Sequence, residues 1–243
     1  MNELLEACRR AISLILSADR DLLEIVLLSL RVSLSAVFLA SLIGLPLGAC
    51  LALFRVPGRR ALTILISALM GLPPVVAGLV LYLILSRSGP LGVLGLLYTP
   101  TAMILVQTAL VLPIVAALTR QVVEDLFQEY RELFLSLRVS RLRAVAALLW
   151  DGRFRLFPVL LAGFGRAIAE VGAVMIVGGN IDHLTRVMTT AIALETSRGD
   201  LSLALALGMI LLLLTLLINT IVFLVREVAG DGAPRNAAFW SQR

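Results

Sequence analysis

Arg166 and Glu170 stand four residues apart inside the apolar run Phe157–Val177. Counted from Phe157 at 1.5 Å per helical residue, they lie ~13.5 and ~19.5 Å deep, in the middle of a bilayer. A lone charge there costs about 2.5–3.5 kcal/mol even on a lenient insertion scale, so both should face protein or water and not lipid. Their i, i+4 spacing puts them on one helix face, where they can neutralise each other. Two readings follow: an ion couple that locks helix packing, or a charged element beside a translocation gate.

A second constellation is the segment Thr119–Phe157. It carries seven arginines (Arg120, Arg131, Arg138, Arg141, Arg143, Arg153, Arg155) and five acids (Glu124, Asp125, Glu129, Glu132, Asp151) in an otherwise apolar chain. It divides into an acidic helix end (Glu124–Glu132), a short apolar piece (Leu133, Phe134, Leu137) and a basic helix (Arg138–Leu149). Apolar knobs with charges on both sides suit a helix docked on a soluble partner. An ordinary solvated loop is the alternative.

Catalytic chemistry is missing. The chain has no Gly-x-x-x-x-Gly-Lys-Ser/Thr phosphate loop, no His-Glu-x-x-His, no Gly-x-Ser-x-Gly and no cluster of metal ligands. No catalytic residue, metal or cofactor is expected, and any ATP hydrolysis belongs to another subunit. His183, the only histidine, reads as a solvated side chain. Cys8 and Cys50 show no CxxC or metal spacing.

The elements that must hold these residues are membrane spans. Hydrophobic residues make up 60% of 243 positions and mean hydropathy is +1.00, above the roughly 45–50% apolar share of soluble domains. Five apolar runs can cross ~30 Å of hydrocarbon: Val32–Phe54, Ala61–Leu85, Thr101–Leu118, Phe157–Val177 and Leu201–Val225. They are too uniformly apolar for barrel strands, so helices are expected, each satisfying its own backbone. Gly44, Pro46 and Gly48 in the first run read as packing residues. Pro73 and Pro74 should kink the second run, and Pro113 should break the third. Residues 1–21 read as an amphipathic helix on the membrane surface, because Leu4, Leu5, Cys8, Ile12, Ile15 and Leu16 recur at helical spacing.

All 21 basic residues are arginine and the net charge is +5. No nucleic acid is needed to explain that charge, since basic loops are retained on the cytoplasmic side. Three arginines fall in Arg55–Arg60, seven in Thr119–Phe157 and three after Val225, against seven (Arg9, Arg10, Arg20, Arg31, Arg87, Arg186, Arg198) on the opposite side. The N-terminus is therefore expected outside and the C-terminus, with the tail 227–243, in the cytoplasm. The stretch Ile181–Asp200, with Thr185, Thr189, Thr190, Thr196, Arg186 and Arg198, then reads as a polar outer mouth. Span five carries Asn219 as its one strong hydrogen-bonding side chain.

Gly71-Leu72-Pro73-Pro74-Val75-Val76-Ala77-Gly78, Ser88-Gly89-Pro90-Leu91-Gly92, Arg166-Ala167-Ile168-Ala169-Glu170-Val171-Gly172 and Gly178-Gly179-Asn180 together resemble the permease subunits of type I ATP-binding-cassette importers for oxyanions. The likeness runs from Leu22 to Val225. Thr185–Ser197 is most similar to the tungstate members. The family's cytoplasmic signature, Glu-Ala-Ala followed after three residues by Gly, corresponds here to Glu132–Arg138, with Leu133 and Phe134 in place of the alanines and Arg138 in place of the glycine.

That resemblance implies an all-α integral membrane fold with five transmembrane helices, the N-terminal surface helix, a transmembrane domain over 22–226 and a helical coupling loop over 119–157. It implies a homodimer in a prokaryotic cytoplasmic membrane, two ATPase subunits on the loops, and an extracytoplasmic receptor that delivers the anion. ATPase coupling falls to Glu132, Leu133, Phe134, Leu137, Arg138, Ser140 and Arg141. Gate or pathway roles fall to Pro73, Pro74, Pro113, Gly165, Arg166, Glu170, Gly172 and Asn180. The expected substrate is tungstate, with molybdate or sulfate as alternatives. From a different class, an ATP-independent secondary transporter would need a midplane site with repeat symmetry or several ionisable groups, which five unequal spans with one Arg/Glu pair fit poorly.

Overall fold

The structure is a computed structural model that describes residues 9, 11–17, 19–54 and 57–231, the side chains of 222 and 225–231 excepted. The helices are α1 (Arg20–Leu53), α2 (Arg59–Met70), α3 (Pro74–Leu85), α4 (Pro100–Glu129), α5 (Arg131–Ser136), α6 (Arg141–Asp151), α7 (Arg153–Ile168), α8 (Gly172–Gly178), α9 (Met188–Arg198) and α10 (Leu201–Asp231), with a 3₁₀ turn at Gly92–Leu94. No strand occurs among the described residues. The expected all-α fold is what the chain adopts.

Three helices, α1, α4 and the Leu201–Ile221 part of α10, are each long and apolar enough to cross a bilayer. Two bent pairs supply the remaining crossings: α2 with α3, bent by 104°, and α7 with α8, bent by 60°. Side-chain caps set the starts of α1 and α10. Asp19 accepts hydrogen bonds from the Asp21 and Leu22 amides at 3.1 and 3.2 Å, so α1 begins at Arg20, ahead of the apolar run. Asp200 does the same for α10 through the Ser202 and Leu203 amides. α4 runs on to Glu129, so the first part of the Thr119–Phe157 segment is an unbroken continuation of a membrane helix. Polarity alone does not end a helix, and nothing there breaks the ladder.

The expected break at Pro113 is absent, because α4 passes through it unbroken with Pro113 buried. The second break lies instead at 169–171, where there is no proline. Side chains make it possible: Glu170 Oε1 accepts the Ala173 amide at 3.1 Å, and the Thr189 hydroxyl donates to the Glu170 carbonyl at 2.7 Å. Backbone groups freed inside a membrane must find such partners.

α1 packs along α4. The buried face of α1 runs through Ala36, Ala40, Gly44 and Gly48 at four-residue intervals. A Cβ on Gly48 would stand 2.4 Å from the Ala116 carbonyl oxygen, and one on Gly44 would stand 3.0 Å from Val115. Small residues are what let membrane helices approach this closely, where dispersion and not the hydrophobic effect holds them together. Leu27, Leu34, Phe38 and Leu42 form the exposed opposite face.

Residues 11–16 are helical and Ala11 is buried in the cluster that contains Leu22 and Ile25. Residues 1–8, 10 and 18 of the expected surface segment, Cys8 included, and the tail beyond 231 lie outside the described residues. Asn219 spends its amide on its own helix, donating to the Thr215 carbonyl at 2.8 Å.

The region expected as a polar outer mouth is only partly exposed: residues 181–184, Thr196 and Arg198 face outward, while its middle is folded inward. Thr185 and Thr190 are fully buried and Thr189 nearly so. Their hydroxyls tie the loop between α8 and α9 to both helices: Thr185 donates to the Gly178 carbonyl at 2.6 Å and Thr190 to Asn180 Oδ1 at 2.8 Å. Ser29 of α1 accepts the Met188 amide at 2.8 Å, at the start of α9. Short polar side chains in this bundle are internal fasteners.

Candidate functional site

The two helix breaks meet. Pro73 is the extended N-cap residue of α3 and Pro74 its first residue, where a missing N–H costs nothing. Gly172 opens α8, and a Cβ there would stand 2.9 Å from Val75 Cγ2. Further along, a Cβ on Gly78 would stand 2.8 Å from Ala173 Cα. The short helices that follow each break, α3 and α8, are therefore packed backbone to backbone.

Arg166 and Glu170 sit at this junction. Arg166 Nη1 donates to Glu170 Oε2 at 2.5 Å. With its other oxygen on the Ala173 amide, the Glu170 carboxylate is fully engaged and its side chain is 4% exposed, while that of Arg166 is 35% exposed. The charge on the acid is buried and compensated, and the cation is presented outward. Gly165 lies beside it, with nothing within 4 Å of where its Cβ would be.

Gln107 of α4 completes the junction, and sequence reading missed it. Its Nε2 donates to the Ala167 carbonyl at 3.0 Å, one residue after Arg166, and its Oε1 is buried without a partner among the described residues. The available signal was a single amide side chain in the run Thr101–Leu118. Pro113 and Asn180 lie apart from this cluster: Pro113 is buried inside α4, and Asn180 takes a left-handed conformation (φ 50°) past the far end of α8, held by Thr190. Gly179 before it also has positive φ (71°), and a Cβ there would meet the Tyr98 ring at 2.8 Å, so only glycine fits.

The second candidate surface is built on α5 and α6. Glu132, Leu133 and Leu137 are exposed, Leu133 by 50% and Leu137 by 64%. Phe134 faces inward instead, stacked on Phe127 with ring centroids 6.2 Å apart and tilted against Tyr130 at 6.1 Å. Arg138 has φ 48° and ends the turn after α5. Ser140 caps α6 with its backbone carbonyl, which accepts the Ala144 amide at 2.9 Å, and Arg141 is the first residue of that helix. α6 is anchored from behind by Ala144, Val145 and Leu148, which pack with Val123 and Leu126 of α4. Tyr130 donates to Asp151 Oδ2 at 2.8 Å, and that carboxylate pushes the phenol pKa up. Arg155 reaches Glu129 at 3.4 Å, closing the α4–α7 junction. The result is a rigid platform with leucines, Glu132 and arginines on its free side.

At the other end of the bundle His183 (φ 54°) pairs with Glu24 of α1 at 3.0 Å, beside a cleft of about 70 Å³ that Asp21, Asp182 and Arg186 also line. No group of three or more metal-ligating side chains occurs among the described residues.

Residues 44–229 match the family described as binding-protein-dependent transport system inner membrane component. A tungstate uptake system permease protein of Peptoclostridium acidaminophilum is 38% identical over 227 residues, covering 93% of this chain and 100% of the relative. One of Campylobacter jejuni with the same description is 37% identical, covering 91% and 92%. A probable anion ABC transporter permease protein of Haloferax volcanii is 41% identical, covering 82% and 88%.

Proposed function

The chain belongs to the family of inner membrane components of binding-protein-dependent transport systems, and from that premise we propose that it is the permease subunit of an ATP-driven oxyanion importer whose substrate is tungstate. The observation that carries this reading is the match to a tungstate uptake permease over that relative's whole length. Two copies form the pore, two ATPase subunits supply hydrolysis, and an extracytoplasmic receptor delivers the anion. The N-terminus is outside and the C-terminus in the cytoplasm of a prokaryotic cell membrane. Residues 22–226 are the transmembrane domain, flanked by the surface segment 1–21 and the tail 227–243.

The ATPase docks on Glu132, Leu133, Leu137, Arg138, Ser140 and Arg141, with Phe134 holding the platform from within. Support comes from the left-handed Arg138, which keeps a turn of the kind glycine favours although the side chain is not glycine. Movement of α5 and α6 reaches α4 through the Val123–Leu148 cluster, and α4 carries Gln107 and, in its buried interior, Pro113. The junction of Pro73, Pro74, Gly165, Arg166, Glu170 and Gly172 is the gate, and Asn180 holds its outer end. ATP and loaded receptor favour different states, and their differential affinities move the equilibrium between inward and outward openings.

The test is uptake into vesicles containing this chain with the ATPase and receptor encoded beside it. ATP-dependent accumulation of tungstate at concentrations where molybdate and sulfate are not taken up is the expected result. Uptake that proceeds without ATP overturns the importer reading, and a preference for sulfate or molybdate overturns the substrate. Because Glu170 compensates the one intramembrane arginine, ion preference should reside in the receptor and follow it when receptors are exchanged.

A further inference from the structure

We propose that Arg166 is a transient contact for the oxyanion in the translocation path, using the edge of its guanidinium that Glu170 leaves free. This rests on the importer reading and adds to it a ligand-touching residue.

Four observations carry the assignment. Only Nη1 of Arg166 is engaged, by Glu170, so Nε and Nη2 have no partner among the described residues. The side chain is 35% exposed although it lies nine residues beyond Phe157, ~13.5 Å into the span. Facing lipid there would cost about 2.5–3.5 kcal/mol or more, so the exposed edge faces water or a second copy. The helix face around it carries little bulk: Ala162 and Ala169 are exposed, Gly165 is half-buried, and the space beside Gly165 is open.

A guanidinium edge presents parallel N–H donors at the spacing of two oxygens on a tetrahedral oxyanion, which suits bidentate contact. Glu170 limits its strength. With a buried carboxylate 2.5 Å from Nη1, the pair is neutral overall, so a dianion meets directed donors without a net positive trap. Such a contact recognises oxygen geometry and passes the ion on.

The experiment uses the complete importer in vesicles. In Arg166→Gln/Glu170→Gln, which removes both charges and keeps an amide pair, tungstate uptake should fall roughly tenfold to a hundredfold, the scale of one or two charge-assisted hydrogen bonds. Receptor affinity and ATPase association should stay as in the parent, and Arg166→Lys should transport at an intermediate rate. A double variant that transports at the parent rate overturns the proposal. A parent complex without ATP-driven uptake would instead overturn the importer reading.

A second readout separates ligand contact from structural support. Ala162→Cys in a Cys8→Ser/Cys50→Ser background places a thiol one turn before Arg166. An anionic, water-soluble thiol reagent should label it, and excess tungstate should slow labelling where Arg166 is present but not in the double variant. If the double variant fails to fold, Arg166→Lys with Glu170 intact takes its place, with weakened protection expected. Absent labelling, or labelling indifferent to tungstate, overturns the proposal.

Discussion

Glu170 shows how a mid-membrane charge becomes affordable. Both its side-chain oxygens are engaged, one by Arg166 and one by the Ala173 amide in the first turn of α8, and its own carbonyl takes the Thr189 hydroxyl. Glu170→Ala removes both side-chain contacts and keeps only the carbonyl bond from Thr189, leaving a bare helix end and an unpaired arginine. Breaking a fully buried pair costs about 3–5 kcal/mol, and the exposure of Arg166 discounts this to about 2. A drop in detergent Tm is therefore expected for Glu170→Ala and a much smaller one for Glu170→Gln; equal effects would mean that the charge, and not the bonding, stabilises the break. Gln107 makes the opposite case. Its Oε1 is a buried acceptor without a partner among the described residues, which costs about 1–3 kcal/mol, while its Nε2 bond returns about 1. Gln107→Leu should thus leave Tm nearly unchanged or raised; a loss above about 2 kcal/mol would show that the pin on Ala167 dominates. Arg138 adds a backbone term. Left-handed geometry costs a non-glycine residue about 1–2 kcal/mol, so Arg138→Gly should gain up to about 1 kcal/mol after the entropy of a freer unfolded chain. Arg138→Val, β-branched in the same conformation, should lose stability in the same melting assay.

At the scale of elements, what the sequence made legible was what one helix decides by itself. Apolar runs predict spans, and Pro73-Pro74 predicts a break that appears as a 104° bend. What it hid depends on neighbours. Pro113 looks like a second breaker and is absorbed within α4, whereas the bend at 169–171 has no local breaker and is stabilised by Thr189 from α9. Thr185, Thr189 and Thr190 look like a solvent-facing mouth by composition, and become internal only because α9 folds back on α1 and α10. Gly44 and Gly48 read as packing residues and are, yet their partner α4 was not readable from spacing. Gly48→Val should force α1 from α4 and lower Tm, at about 1–3 kcal/mol for overpacking, and a variant as stable as the parent would mean that the contact is looser than 2.4 Å. His183 joins α1 to the α8–α9 loop through Glu24. The hydrogen bond to Glu24, then the charges of Asp182 and Glu24, raise its pKa above 6.5. Since the folded value is raised, this contact contributes fully below pH about 6.5 and fades as pH climbs through the raised value. NMR titration of this single histidine should give a midpoint above 6.5, shifted down in Glu24→Gln.

Across the whole molecule, charge divides the bundle into two unlike ends. Arg59, Arg120, Arg131, Arg138, Arg141, Arg143, Arg153 and Arg155 gather near the ends of α2, α4 and α7 that Glu124 and Glu129 tie together. Arg20, Arg87, Arg186 and Arg198 occupy the other end, with Asp19, Asp21, Glu24, Asp182, Glu195 and Asp200, and two of them are in direct pairs, Arg186 with Asp182 and Arg198 with Glu195. The end richer in arginine is the one a cytoplasmic side retains, whereas the end with fewer arginines is the one that crosses. The α5–α6 platform is on the cation-rich end, so its orientation and its proposed partner stand or fall together: an ATPase can reach it only from the cytoplasm. Single thiols settle this in a Cys8→Ser/Cys50→Ser background. Ser197→Cys, exposed on α9, should react with a membrane-impermeant maleimide in intact cells, and Leu142→Cys, 71% exposed on α6, only once the membrane is opened. The reverse pattern would place the platform outside, rule out the proposed ATPase docking at Glu132 and Leu137, and leave the proposed gate at Arg166 without a source of work.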